Sequence, residues 1–228
     1  MTPTRPRSRP RQSLASVAGA VPGALLGAAA GVAAAVRRTK PLHPVGHVGD
    51  AVLHVTAPRP DLGVPLLATV GDRPCLARWS RAMGLSSPLP DFEGLALRFP
   101  PEVDGGGDVL LASTGTGRVD RHVLLLRRPG HHGPQSTLLP VATQAGGLLV
   151  RALPEGDAEP PRRFRVGVAL GSSEWHDVGE LEVTWGADEP IRFDPVEHQL
   201  AGTWQYPVVT TLREPAYALA RRFASARR

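Results

Sequence analysis

Glycine and proline punctuate this chain, 25 and 24 times in 228 residues, and that density argues against a pure helix bundle. Between the interruptions lie short runs with strand character. Asp50–Thr56, Cys75–Ser80, Gly94–Phe99, Asp108–Ser113 and His122–Leu126 read as strands, as do Phe164–Leu170 and Glu180–Trp185 around the Gly171-Ser-Ser turn. Leu138–Leu153 fits helix or strand, and Gly146-Gly147 favours a broken pair of strands. Repeated short strands joined by Gly/Pro turns predict an antiparallel sheet, curved or closed into a barrel of about eight strands.

Two helices are expected at the ends, which makes the predicted class mainly β with α. Residues 14–38 are rich in Ala and Gly, uncharged from Leu14 to Val36, with Gly19, Gly23, Gly27 and Gly31 on one helical face. Such a small-residue face suits close backbone approach. The segment reads as a helix docked on its own domain, as one that associates with a membrane through residues 14–36 or pairs with itself, or as disorder. Its length meets the roughly 20 residues of a membrane span, but Ala and Gly add little transfer energy and Pro22 interrupts it. No signal-peptide cleavage pattern is evident. A second helix is expected from Arg213 to Ser225, with Pro215 in its first turn. The organisation is a disordered basic tail (1–13), the Ala/Gly-rich helix (14–38) and a barrel domain (39–228).

Charge excludes one class of partner. Residues 1–40 carry seven basic groups and no acid, so the overall +5 leaves 19 basic against 21 acidic, a net of −2, for the remainder. The body lacks the electrostatic footprint of a nucleic-acid binder. The lone cysteine, Cys75, excludes an internal disulfide and a Cys-based zinc site, and a reducing, cytoplasmic setting is consistent with it.

His43, His47 and His54, with Asp50, cluster at one loop-to-strand transition and suggest either metal ligation or a single acid/base among bystanders. His131-His132, between glycines, read as surface residues of an exposed loop over 129–136. No phosphate loop, dinucleotide fingerprint, zinc-protease motif or nucleophile elbow is present. Arg213 and Tyr217 stand at i and i+4, on the same helical face.

Six segments in order resemble those of haem catalases: His43-x-x-Gly46 leading into Val55-Thr56, Arg78-Trp-Ser80, Asp91-Phe-Glu-Gly94-Leu-Ala-Leu-Arg98-Phe99, Asp108-Val109, Phe193-Asp194-Pro195, and Arg213-Glu-Pro-Ala-Tyr217. The resemblance implies a catalase-like barrel and ferric haem as cofactor. It further implies Tyr217 as the phenolate ligand to iron, supported by Arg213, with His43 as acid/base and Ser80 orienting it. Lys40, Arg78 and Arg221 or Arg222 would meet the haem propionates. Departures accompany the likeness. The distal asparagine falls near Ala112-Ser113, which makes Ser113 the residual donor, Lys40 stands where arginine is usual, and aromatics are only 5% of the chain.

The function implied is a haem-dependent peroxidase or catalase-like protein acting on hydrogen peroxide or organic hydroperoxides, cytoplasmic or peripheral to a membrane, with self-association left open. Two alternatives stand beside it: a haem-free barrel serving as a binding or membrane-associated scaffold, and a phosphodiesterase-type hydrolase for which no residue speaks. For His43 the alternative is a structural loop histidine. For Arg213 and Tyr217 it is an ordinary packing pair.

Overall fold

A computed structural model describes residues 46–85 and 88–206. Nine strands form one antiparallel sheet: β1 (Gly46–Val55), β2 (Gly71–Arg81), β3 (Glu93–Phe99), β4 (Gly107–Ser113), β5 (Gln135–Ser136), β6 (Val141–Thr143), β7 (Gly146–Glu155), β8 (Arg163–Leu170) and β9 (His176–Trp185). The neighbour order is β5-β4-β3-β2-β1-β9-β8-β7, and β5 also pairs with β7, which closes an eight-stranded ring. The short β6 lies along the same edge of β7, forming a hairpin with its first residues.

Period-two alternation produces the closure. Ala51, Leu53 and Val55 of β1, Cys75, Ala77 and Trp79 of β2, Leu95, Leu97 and Phe99 of β3, and Phe164, Val166 and Val168 of β8 all belong to one buried interior cluster. Pro60–Leu62 and Pro65–Leu67, two single-turn 3-10 helices, add Leu62, Leu66 and Leu67 to it. At the β1–β9 contact Gly179 lies under the His54 carbonyl, where any Cβ would collide with that backbone oxygen. Glycine is required there for strands to meet.

The α+β class is corrected to mainly β. The described residues contain no α-helix, only three 3-10 turns, because the sheet closes on itself and needs no helical layer to cover its apolar face. Both expected helices, 14–38 and 213–225, lie outside the described residues. His122–Leu126 is likewise not a strand. A 3-10 turn (Asp120–His122) replaces its start, Leu125 gives its N–H to Ser113, and β5 occupies the edge of β4 that this run would have needed. Among the described residues no helix is long and apolar enough to cross a membrane.

Truncating the core should be costly and trimming the surface should not. Phe164→Ala is expected to lose about 3–5 kcal/mol in urea denaturation, since Phe164 is fully buried. Val119→Ala, at 72% exposure, should stay within about 0.5 kcal/mol of wild type.

Candidate functional site

Register assigns the predicted residues to faces. Gly46 pairs with Ser80, Ser80 with Gly94 and Gly94 with Ala112, so four small residues stand abreast across β1 to β4. The next row is Val48, Arg78, Ala96 and Leu110. Trp79, Leu95 and Leu111 between these rows face the interior, so both rows lie on the outer face. Gly46 and Gly94 are nonetheless buried, and Ser80 is only 5% exposed. A Cβ on Gly46 would crowd the Trp79 carbonyl and the Arg78 guanidinium.

This outer row is poor in side-chain bulk, and Arg78 stands beside it. Arg78 is held by Asp188, its Nε 3.2 Å from Oδ1 and its Nη2 3.3 Å from Oδ2. The same carboxylate accepts the Gly46 N–H at 2.9 Å. Asp188 therefore fixes the backbone three residues after His43 onto the cation of β2. Arg78 and Ser80 share this face. Ser113 does not. It is the inward neighbour of Ala112, fully buried, accepting from the Glu93 N–H at 3.1 Å and donating to the Leu125 carbonyl at 2.7 Å. His43, Lys40, Arg213, Tyr217 and Arg221 lie outside the described residues.

The described residues fit one face of a planar macrocycle, because the row offers backbone and methyl groups where larger side chains would stand. They offer no amide donor above it, since Ala112 has none and the Ser113 hydroxyl is spent inside the barrel.

Three further motif segments converge on a clasp. Asp108, fully buried on β4, accepts from Arg98 Nε at 2.7 Å, from Arg98 Nη2 at 2.6 Å and from the Asp194 N–H at 2.6 Å. Arg98 also donates to the Arg192 carbonyl and lies over the Phe193 ring, 5.0 Å from its centre. The Asp108 hydrogen bond raises the Arg98 pKa, against burial that lowers it. Phe193-Asp194-Pro195 is thus the anchor of the 186–200 arm on β3 and β4. Asp91, fully buried, accepts from the backbones of Met83, Leu85 and Phe92, and so shapes the loop after β2.

The remaining candidates separate. His47 is exposed, and His54 pairs with Asp72 at 2.7 Å on the surface. Among the described residues no group of three or more His, Cys, Asp or Glu side chains is arranged to hold a metal ion. Burial pushes the Cys75 thiol up to about 12, which leaves it an inert packing group. His132, read from sequence as a surface residue, has only 8% of its side chain exposed and is bonded to Glu93 at 2.7 Å. The missed signal was Glu93 itself, a carboxylate in phase with the inward Leu95, Leu97 and Phe99.

Arg98→Ala should cost about 3 kcal/mol by stranding the buried Asp108 carboxylate and should loosen the 186–200 arm in limited proteolysis. Arg78→Ala, which breaks a pair whose carboxylate is 31% exposed, should cost no more than about 1 kcal/mol.

No known family matches this sequence, and no curated protein matches it either. Solved structures do. A bacterial catalase superposes with a TM-score of 0.56 at 14% identity, over 84% of this chain and 59% of its own. A fungal catalase superposes with a TM-score of 0.55 at 12% identity, over 78% of this chain and 57% of its own. The chain spans less than two thirds of the length of either catalase. At these identities the likeness is one of fold, and the barrel has a catalase-like fold.

Proposed function

We propose that the chain is a haem-dependent oxidoreductase of the peroxidase/catalase-like kind, acting on hydrogen peroxide or organic hydroperoxides. The observation that carries this reading is the outer row Gly46–Ser80–Gly94–Ala112, four small residues abreast on a catalase-like barrel beside the cation of Arg78. When bound, ferric haem supplies the redox chemistry that peroxide cleavage needs.

The chain's own residues would bind, orient and move protons. Tyr217 as a phenolate, four residues after Arg213 in sequence, would hold the iron, and Arg213 would favour the charged form. His43 would take up and return the peroxide proton. Ser80 would orient His43; its strand position abreast of Gly46, three residues after His43, supports that role. Lys40, Arg78 and Arg221 would meet carboxylates, Lys40 as a point charge rather than a fork. Without an amide at Ala112, peroxide lacks a second polar contact, which favours peroxidase-type turnover over rapid dismutation.

One observation favours a second reading, a haem-free barrel acting as a scaffold: Arg78 is already neutralised by Asp188. The two separate spectroscopically. Full-length protein expressed with haem supplied should show a Soret band, lost in Tyr217→Phe and weakened in Ala112→Leu, which adds bulk to the row. Absence of a band in wild type would overturn the haem reading in favour of the scaffold. Oxygen evolution from peroxide at catalase-like rates would overturn the peroxidase assignment.

A further inference from the structure

Away from that outer row, the barrel carries a buried Glu–His pair at one end of its interior. The strap 128–134, between the Asp91–Arg127 bridge and β5, places His132 edge-on to Trp79, with ring centres 5.4 Å apart. Its Nδ1 lies 2.7 Å from Oε1 of Glu93, which faces inward on β3 and is 5% exposed. Its Nε2 lies 3.4 Å from Oε2 of Glu159, on the loop between β7 and β8, an ion-pair distance without hydrogen-bond alignment. The same Glu159 oxygen accepts the Gly130 N–H at 2.7 Å. One imidazole thus joins three separate pieces of chain: β3, the strap, and the loop before β8.

The other charged groups around this imidazole are engaged elsewhere. Neither Glu93 nor Glu159 has another ion-pair partner among the described residues. Arg81 stands opposite Glu93 in the β2–β3 register, but its guanidinium is drawn to the Leu89 carbonyl and toward Asp91. Arg127, on the strap side, donates to the Thr114 carbonyl, and His131 turns to the Pro129 carbonyl at the surface. Inside, Glu93 Oε2 and both amide atoms of Gln135 are buried without hydrogen-bond partners. Water reaching them would remove that cost.

We propose that His132 is a protonation-controlled clip: as an imidazolium joined to Glu93 and Glu159 it holds the 128–134 strap across the barrel end, and as a neutral ring it releases the strap and admits water to the Glu93–Gln135 interior. Deprotonation leaves a buried carboxylate with no counter-charge, and opening the strap is the way to solvate it. Burial lowers the His132 pKa, but the hydrogen bond and charge of Glu93, with the charge of Glu159, outweigh it and raise the group above the ordinary 6.5. The clip's contribution to stability is therefore complete below that ordinary value and is lost as pH rises through the raised one.

The test is a pH titration of the full-length chain by NMR, reading the His132 ring and, after correction for intrinsic exchange, the protection of the Gly130 amide. His132 should titrate above 6.5, and Gly130 protection should fall at least about tenfold through that titration. Glu159→Gln keeps an acceptor for Gly130 but removes the charge. It should lower the His132 titration point and abolish the pH step in Gly130 protection. His132→Gln should show no step either, and Glu159→Gln carries the test where His132→Gln fails to fold. A wild-type His132 titrating at or below 6.5, flat Gly130 protection, or an unchanged step in Glu159→Gln would overturn the proposal.

Discussion

Closure of the barrel depends on two residues. β5 consists only of Gln135 and Ser136, yet it pairs with Ser113 and Ala112 of β4 on one side and with Ala152 and Arg151 of β7 on the other. A strand this short contributes few ladder bonds, and side-chain hydroxyls reinforce it. Ser136 donates to the Arg121 carbonyl at 2.7 Å, and Thr114 and Ser136 share a hydrogen bond at 3.1 Å. Ser113 ties Glu93 to Leu125 from the adjacent position. Buried hydroxyls therefore close the ring where ladder pairing is thinnest, and any loss there would expose two sheet edges at once.

Much of the barrel was legible because its signal is local. β3, β4, β8 and β9 lie where alternation and Gly/Pro turns indicated, and the Gly146-Gly147 break marks the start of β7. β5 was not legible, since two polar residues on a Gly/Pro-rich loop carry no period and gain strand geometry only from partners on β4 and β7, 15 to 24 positions away. His122–Leu126 failed for the converse reason. Its apolar run has strand composition, but β5 had taken the edge it needed, and tertiary competition overrode propensity.

Of the site, faces were harder to read than residues. A one-residue step along a strand reverses the face, so Ala112 and Ser113, adjacent in sequence, stand on opposite sides of the sheet. Ser80 and Ser113, grouped together from sequence, are separated by the barrel wall. The Asp108, Arg98 and Phe193-Asp194 segments were recognisable one by one through the family resemblance, and only the structure shows that they pack as one. Their convergence is a structural clasp of a bidentate guanidinium on a buried carboxylate, and it says more about holding an arm to the barrel than about chemistry.

The wall that separates those serines also separates two kinds of site. Outside, the row from Gly46 to Ala112 has been stripped of bulk, with the Ser80 hydroxyl within it and, in the next row, an arginine whose charge Asp188 balances. Inside, Glu93, Gln135 and His132 form a polar group at one end of a largely apolar filling. A protein selected for stability alone would replace a buried ion pair by packed hydrocarbon at little cost or a gain. Glu93 occupies a position where alternation would otherwise supply leucine or valine, and His132 meets it from the strap that leads into the thinnest strand of the ring. Their charge thus sits where the barrel wall is easiest to part, so a single proton has mechanical leverage there that it would lack beneath the long ladders of β1 and β2.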